Sequence, residues 1–236
     1  MLAIARSELI QIFRNRLVLV TSLIMPVVVS AFFIYRRDAF ATLGSLGYIA
    51  AIIMVTVGAF GLYTSAVTTL ASRRQNLFLK RLRSTAAGDG SILAGLLLPV
   101  TVLALVQITA ILTVFGVVGG EPGNLAVLAV AVLATMAMMV GLALATAGVT
   151  TSPEHAQVTT LPVSLGVIAV ASWVGISGTE NLTLLKRLLP GGAATELVVD
   201  TWNGAGPSLV LLAPTLAWVV VAVSLAARLF RWEPRR

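Results

Sequence analysis

The largest cluster of cations in this chain lies in fourteen residues, Ser72 to Thr85: Ser-Arg-Arg-Gln-Asn-Leu-Phe-Leu-Lys-Arg-Leu-Arg-Ser-Thr. Five cations (Arg73, Arg74, Lys80, Arg81 and Arg83) are interleaved with Leu77, Phe78, Leu79 and Leu82. Wound as a helix, the segment puts Phe78, Leu79 and Leu82 on one flank while Arg74, Lys80, Arg81 and Arg83 project elsewhere. Such an element can press an apolar knob into a partner's groove while its cations address an acidic rim or lipid headgroups. A solvated loop whose charges only orient the chain in a membrane is the alternative. It explains the cations and gives the interleaved leucines no task.

Other chemistry-bearing residues are sparse. Ser152-Pro153-Glu154-His155 contains the chain's one histidine, but serine, proline and acid in that order read as a helix start. No serine, cysteine or second-carboxylate arrangement accompanies Glu154 and His155. Gln107 is a polar group inside an apolar run, suited to facing another helix or a passage. Phe60 and Tyr63 are candidates to line such a passage, or to face lipid. Met136, Met138 and Met139 suit a deformable surface or the filling of a core. There is no cysteine, so thiolate metal sites and cysteine nucleophiles are excluded. No Gly-x-x-x-x-Gly-Lys-Ser/Thr loop occurs, so the chain has no phosphate loop of its own. The apolar runs hold no ionisable residue near their middles, which argues against a carrier driven by protons or sodium.

The elements that must position these residues are membrane spans. Of 236 residues, 58% are hydrophobic and 11% charged, with a mean hydropathy of +1.00. Soluble domains carry about 25% charged residues, and a water-facing surface cannot be assembled from this supply. The expectation is an all-α integral membrane protein of one domain, residues 1–236. Six runs approach the roughly 20 residues that cross a bilayer: Leu17 to Tyr35, Leu46 to Leu70, Ile92 to Val118, Leu125 to Val149, Ala156 to Ser177 and Ser208 to Ala227. Six spans put both termini on one side. That side collects Arg6, Arg14, Arg16, Arg73, Arg74, Lys80, Arg81, Arg83, Arg228, Arg231, Arg235 and Arg236, and the other only Arg36, Arg37, Lys186 and Arg187. The bias places the termini and the basic segment in the cytoplasm. The net charge of +7 is thus accounted for by juxtamembrane clusters and not by nucleic acid.

Two flanking features complete the pattern. Leu2, Ala5, Leu9, Ile12 and Phe13 recur at helical spacing, with Ser7, Glu8, Gln11, Arg14 and Asn15 on the opposite face. This reads as an amphipathic interfacial helix or as an extension of the first span. Leu182 to Leu189 and Ala193 to Trp202 are too short to cross and are separated by Pro190-Gly191-Gly192. They read as a re-entrant helical hairpin or as a plain external loop.

Arg73-Arg74 followed by Leu79-Lys80-Arg81-Leu82-Arg83-Ser84-Thr85 resembles the coupling segment of ATP-binding-cassette (ABC) type-2 exporter permeases. The likeness runs through the whole chain: an interfacial N-terminal helix, six spans, a coupling helix after the second and a broken hairpin before the sixth. Gln75 and Asn76 stand where that family usually has acids, and Ala86 where it usually has proline. The resemblance implies a non-catalytic permease subunit of the cell membrane, of bacterial type, exporting a hydrophobic or amphipathic drug, antibiotic or lipid-like substrate. It implies two ABC ATPase subunits carrying ATP and Mg, a second permease forming a homo- or heterodimer, and no cofactor bound by this chain. Arg74, Leu79, Lys80, Arg81, Leu82 and Arg83 inherit the ATPase-coupling role. Phe60, Tyr63 and Gln107 remain substrate-pathway candidates, and membrane lipids are expected partners. A membrane-embedded lipid-modifying enzyme, working through Glu154 and His155, is the competing expectation.

Overall fold

The computed structural model describes residues 2–14, 16–84, 88–206, 208–230 and 232. Thr85, Ala86, Asn15, Arg231, Arg235 and Arg236, which figure in the reading above, lie outside them, as do the side chains of Leu2 and Leu17. The described chain is helical throughout: α1 (Leu2–Arg14), α2 (Val20–Tyr35, entered through the turn Arg16–Leu19), α3 (Arg37–Leu43), α4 (Leu46–Gln75), α5 (Phe78–Arg83), α6 (Asp89–Gly119), α7 (Leu125–Val149), α8 (Pro153–Ser177), α9 (Thr183–Leu188), α10 (Gly192–Trp202) and α11 (Leu209–Leu229). Five of these (α4, α6, α7, α8 and α11) are long and apolar enough to cross a membrane. A sixth span results if α2 and α3, bent by 77° at Arg36, count as one.

Helix α4 is the axle of the bundle. Its most apolar stretch is 89% buried, against 33% for α6 and 22% for α11. It starts on Ser45, whose hydroxyl accepts from the Tyr48 amide at 3.2 Å, and α2, α6, α7, α8 and α10 all pack around it. Without a hydrophobic force between helices in lipid, close packing and hydrogen bonds hold such a bundle together. Small residues permit the approach. A Cβ on Gly47 would stand 2.6 Å from the Val199 carbonyl of α10, and one on Gly175 of α8 would stand 2.3 Å from the Tyr48 ring. The outward faces of α2, α6, α8 and α11 expose Val28, Phe32, Val106, Leu165 and Val220, which is the complexion of a lipid-facing surface.

Two stretches are wound as π-helix, Val20–Ile24 in α2 and Val57–Thr64 in α4, and they pack on each other. Pro26 has no amide proton to give the Ser22 carbonyl, which favours the wider turn in α2. In α4 the Thr64 hydroxyl donates back to the Ala59 carbonyl at 2.9 Å, five residues earlier. Gln107 of α6 donates its amide to the Leu23 carbonyl at 3.0 Å and so ties a third helix to this region.

At the end opposite the basic segment, α9 and α10 form a pair of short helices broken at Pro190-Gly191-Gly192. Helix α10 is buried against α4, α7 and α8, and Trp202 stacks on Phe115 of α6 at 5.0 Å. Gly191 has φ +88°, and a Cβ on Gly192 would collide with the Lys186 carbonyl, so both glycines are required by the turn. Trp218 of α11 donates its indole N–H to the Leu188 carbonyl at 2.8 Å, closing the last turn of α9.

Candidate functional site

The basic segment begins on the last turns of α4, where consecutive arginines turn to different partners. Arg73 reaches α1: its Nε lies 2.8 Å from Glu8 Oε1, and an Nη donates to Glu8 Oε2 at 2.8 Å and also to Gln11 Oε1. The side chains of this pair are only 14% and 4% exposed, which puts it in the buried class of ion pairs. Arg74 is fully buried and caps the end of α7, donating to the carbonyls of Ala147 (2.9 Å) and Thr150. Neighbouring residues on a helix point about 100° apart, so one dipeptide fastens the foot of α4 to both the N-terminal helix and the α7–α8 junction.

Leu77 then adopts the left-handed conformation (φ 57°), unusual for a branched side chain, and turns the chain into α5. Leu79 is completely buried, and Phe78 and Leu82 pack partly against the core. Lys80, Arg81 and Arg83 are exposed on the outside of this short helix. Arg83 lies 3.3 Å from Asp89 at the start of α6 and 5.2 Å from the Trp232 ring, while Arg73 lies 5.5 Å over Phe78. The result is a cationic ridge whose apolar underside is bonded to the bundle. Leu79, and in part Leu82, hold α5 to its own chain, and Arg74 bonds carbonyls of its own chain. Of the six residues assigned to coupling, Lys80, Arg81 and Arg83 form the accessible face.

Helix α1 also differs from expectation in what its polar face meets. Glu8 is buried against Arg73, and Gln11, though exposed, bonds the same guanidinium, while Leu9, Ile10 and Phe13 are exposed. Helical spacing finds a polar stripe but cannot say whether water or protein covers it. The apolar stripe is then the face left for lipid.

The three pathway candidates gather at the π-wound stretch of α4. Tyr63 is fully buried with its hydroxyl 2.9 Å from Thr146 Oγ1, and Phe60 beside it is half-buried. Gln107 is taken up by the Leu23 carbonyl. Met136, Met138 and Met139 are core residues. Ser152 caps α8 as its sequence suggests, accepting from the His155 amide at 3.2 Å, and the His155 ring engages Thr151. With the exposed Glu154 in its first turn, this group makes a helix cap.

A cluster at the opposite end gave no sequence signal beyond isolated charges. Glu196 of α10 accepts from Arg187 Nε (2.7 Å) and Nη (2.6 Å) and from Thr179 (2.6 Å). Burial pushes its carboxyl up, but these bonds and the guanidinium charge outweigh it and hold it below the ordinary range. Asp200, one turn on, is pushed the other way by burial and by the Glu196 charge, against the pull of Arg187. Lys186 is buried, donating to Ser177 (2.8 Å) and to the Gly178 carbonyl (2.6 Å), with Trp173 at 5.0 Å. No protein-family model matches the sequence, and no curated protein is significantly similar to it.

Proposed function

We propose that this chain is the membrane-spanning permease subunit of an ABC-type exporter, moving a hydrophobic or amphipathic substrate with energy from a separate ATPase. The observation that carries this reading is α5. It is a short helix bolted to the bundle by Leu79, presenting Lys80, Arg81 and Arg83 outward next to the foot of the most buried helix. A ridge free to swing would dissipate a push. One fixed through Arg73 and Arg74 to α1, α4 and α7 passes it to three elements at once. The helix count, the basic end and the broken α9–α10 pair fit a six-span permease with cytoplasmic termini, α1 in the inner interface and α9–α10 re-entrant from the outer side. ATP and Mg belong in this scheme to the ATPase pair, and a second permease completes the passage.

Replacing Lys80, Arg81 and Arg83 together with glutamate is the test. The three side chains are exposed, so the fold should survive. The ATPase encoded nearest this chain should no longer co-purify, and export into inverted vesicles should stop. Unchanged assembly together with unchanged transport-coupled ATP hydrolysis rejects the proposal.

A further inference from the structure

A cleft of about 690 Å³ opens at the basic end between the α1–α2 junction, the last turns of α4 and the first turn of α8. It exists because α2 and α8 each pack on α4, which leaves Thr68, Thr69 and Ser72 of α4 lining the space between them. Arg14 and Arg16 line it from one side, Glu154 and Gln157 from the other, and all four are exposed. Glu8 and Arg73 also line it but neutralise each other. The charges left are segregated, two guanidiniums facing one carboxylate across the opening. Among the described residues neither Arg14 nor Arg16 forms an ion pair. Glu154 stands exposed in the first turn of α8, the end of a helix that favours a carboxylate.

The surroundings select an amphiphile over a soluble ion. Helices α2 and α8, which flank the cleft, expose Val20 and Ile24 and Val158 and Leu161, and α1 exposes Leu9 and Phe13. A recess that carries charged side chains on partly apolar walls (Ile12, Val18 and Pro153), bordered by apolar helix faces at the level of an amphipathic helix, matches the boundary between headgroup and acyl chain. Arginine suits a phosphate diester, and a lone carboxylate opposite suits a primary ammonium.

The geometry points to a binding site for the headgroup of a zwitterionic amino-phospholipid, its phosphate on Arg14 and Arg16 and its ammonium on Glu154, with the acyl chains along α2 and α8. The site requires membrane insertion but not ATP-driven export, so either can fail without the other.

Native mass spectrometry of the delipidated full chain, titrated separately with phosphatidylethanolamine, phosphatidylcholine and phosphatidylglycerol, tests this directly. Phosphatidylethanolamine should be retained several-fold better than phosphatidylcholine, which has the same phosphate and no N–H to donate. Arg14→Gln with Arg16→Gln should lower binding of all three about tenfold, the loss expected for charge-assisted phosphate bonds. Glu154→Gln should erase the preference for the primary amine while sparing phosphatidylcholine. Arg36→Gln, an exposed cation at the other end, is the control and should change nothing. Equal retention of the three lipids by the unaltered chain overturns the proposal without relying on any variant. So does a loss at Arg14 and Arg16 no greater than at Arg36. Displacement of bound lipid by free phosphoethanolamine at equal concentration would reassign the cleft to a soluble ligand.

Discussion

Glu8→Gln removes one charge from the contact that fastens α1 to α4, and its cost separates two views of the N-terminal helix. If α1 merely floats at the membrane surface, the pair is worth what exposed pairs are worth, at most about 1 kcal/mol. Side-chain exposures of 4% and 14% and two contacts of 2.8 Å place it among buried pairs instead. Removing one partner there costs about 3–5 kcal/mol, because the other charge is stranded. Glu8→Gln should fall at the low end, since Arg73 keeps Gln11 and the Phe78 ring. Arg73→Ala should fall at the high end, since it leaves a buried carboxylate with no cation. At roughly 2–4 °C per kcal/mol for a chain of this size, the melting temperature drops by about 6–12 °C and about 10–20 °C respectively. The double variant Glu8→Gln, Arg73→Ala should lose less than the two effects summed, by about 2 kcal/mol. Thermal unfolding in detergent micelles gives the stabilities. The chain has no cysteine, so spin labels placed at Leu9→Cys and Asn76→Cys report whether α1 has left α4. A shift for Glu8→Gln no larger than that for Asp38→Asn, whose side chain is 92% exposed, with an unchanged label distance, would refute the reasoning.

Leu79→Ala keeps every cation of α5 but removes the side chain that anchors it, at about 2–5 kcal/mol. Trypsin should then cut at Arg81 and Arg83 sooner, and ATPase co-purification should weaken; unchanged cleavage and assembly would mean that charge alone suffices. Gln107→Leu should cost about 0.6–2 kcal/mol by freeing the Leu23 carbonyl, read as a lower melting temperature, and a rise would show that the bond adds nothing. Asp200→Asn should raise the melting temperature at pH 7.5. Its carboxyl is pushed up in the folded chain, so ionisation opposes folding as pH rises through the carboxylate range. The gain should vanish below about pH 4, where the acid is protonated folded or not. Glu196 has the opposite sign: held low when folded, it adds stability above the ordinary carboxylate range that is lost as pH falls through its lowered value.

What could be read from the residues followed what lipid demands of a sequence. A run such as Leu125 to Val149 announces itself because it must be apolar from end to end, and α7 keeps those bounds. Polar ends were harder. Leu46 to Leu70 stops at the last apolar residue, whereas α4 continues to Gln75 because Arg73 and Arg74 find partners on α1 and α7. Those partners lie far away in sequence, and no local pattern marks them. The same holds for Glu196, an isolated acid until Arg187 and Thr179 are brought beside it, and for the cleft, whose walls come from four helices. Pro26 is the sole local hint of a widened turn, and it covers only one of the two.

The two π-wound stretches give the bundle a joint that hydrocarbon can tolerate. A widened turn is a dislocation, one surplus residue absorbed into an otherwise regular coil. Its backbone bonds stay within the coil, so the turn widens without leaving bare amides in oil. Because the neighbouring dislocation in α2 lies against it, the two widened turns meet as a single seam between the helices.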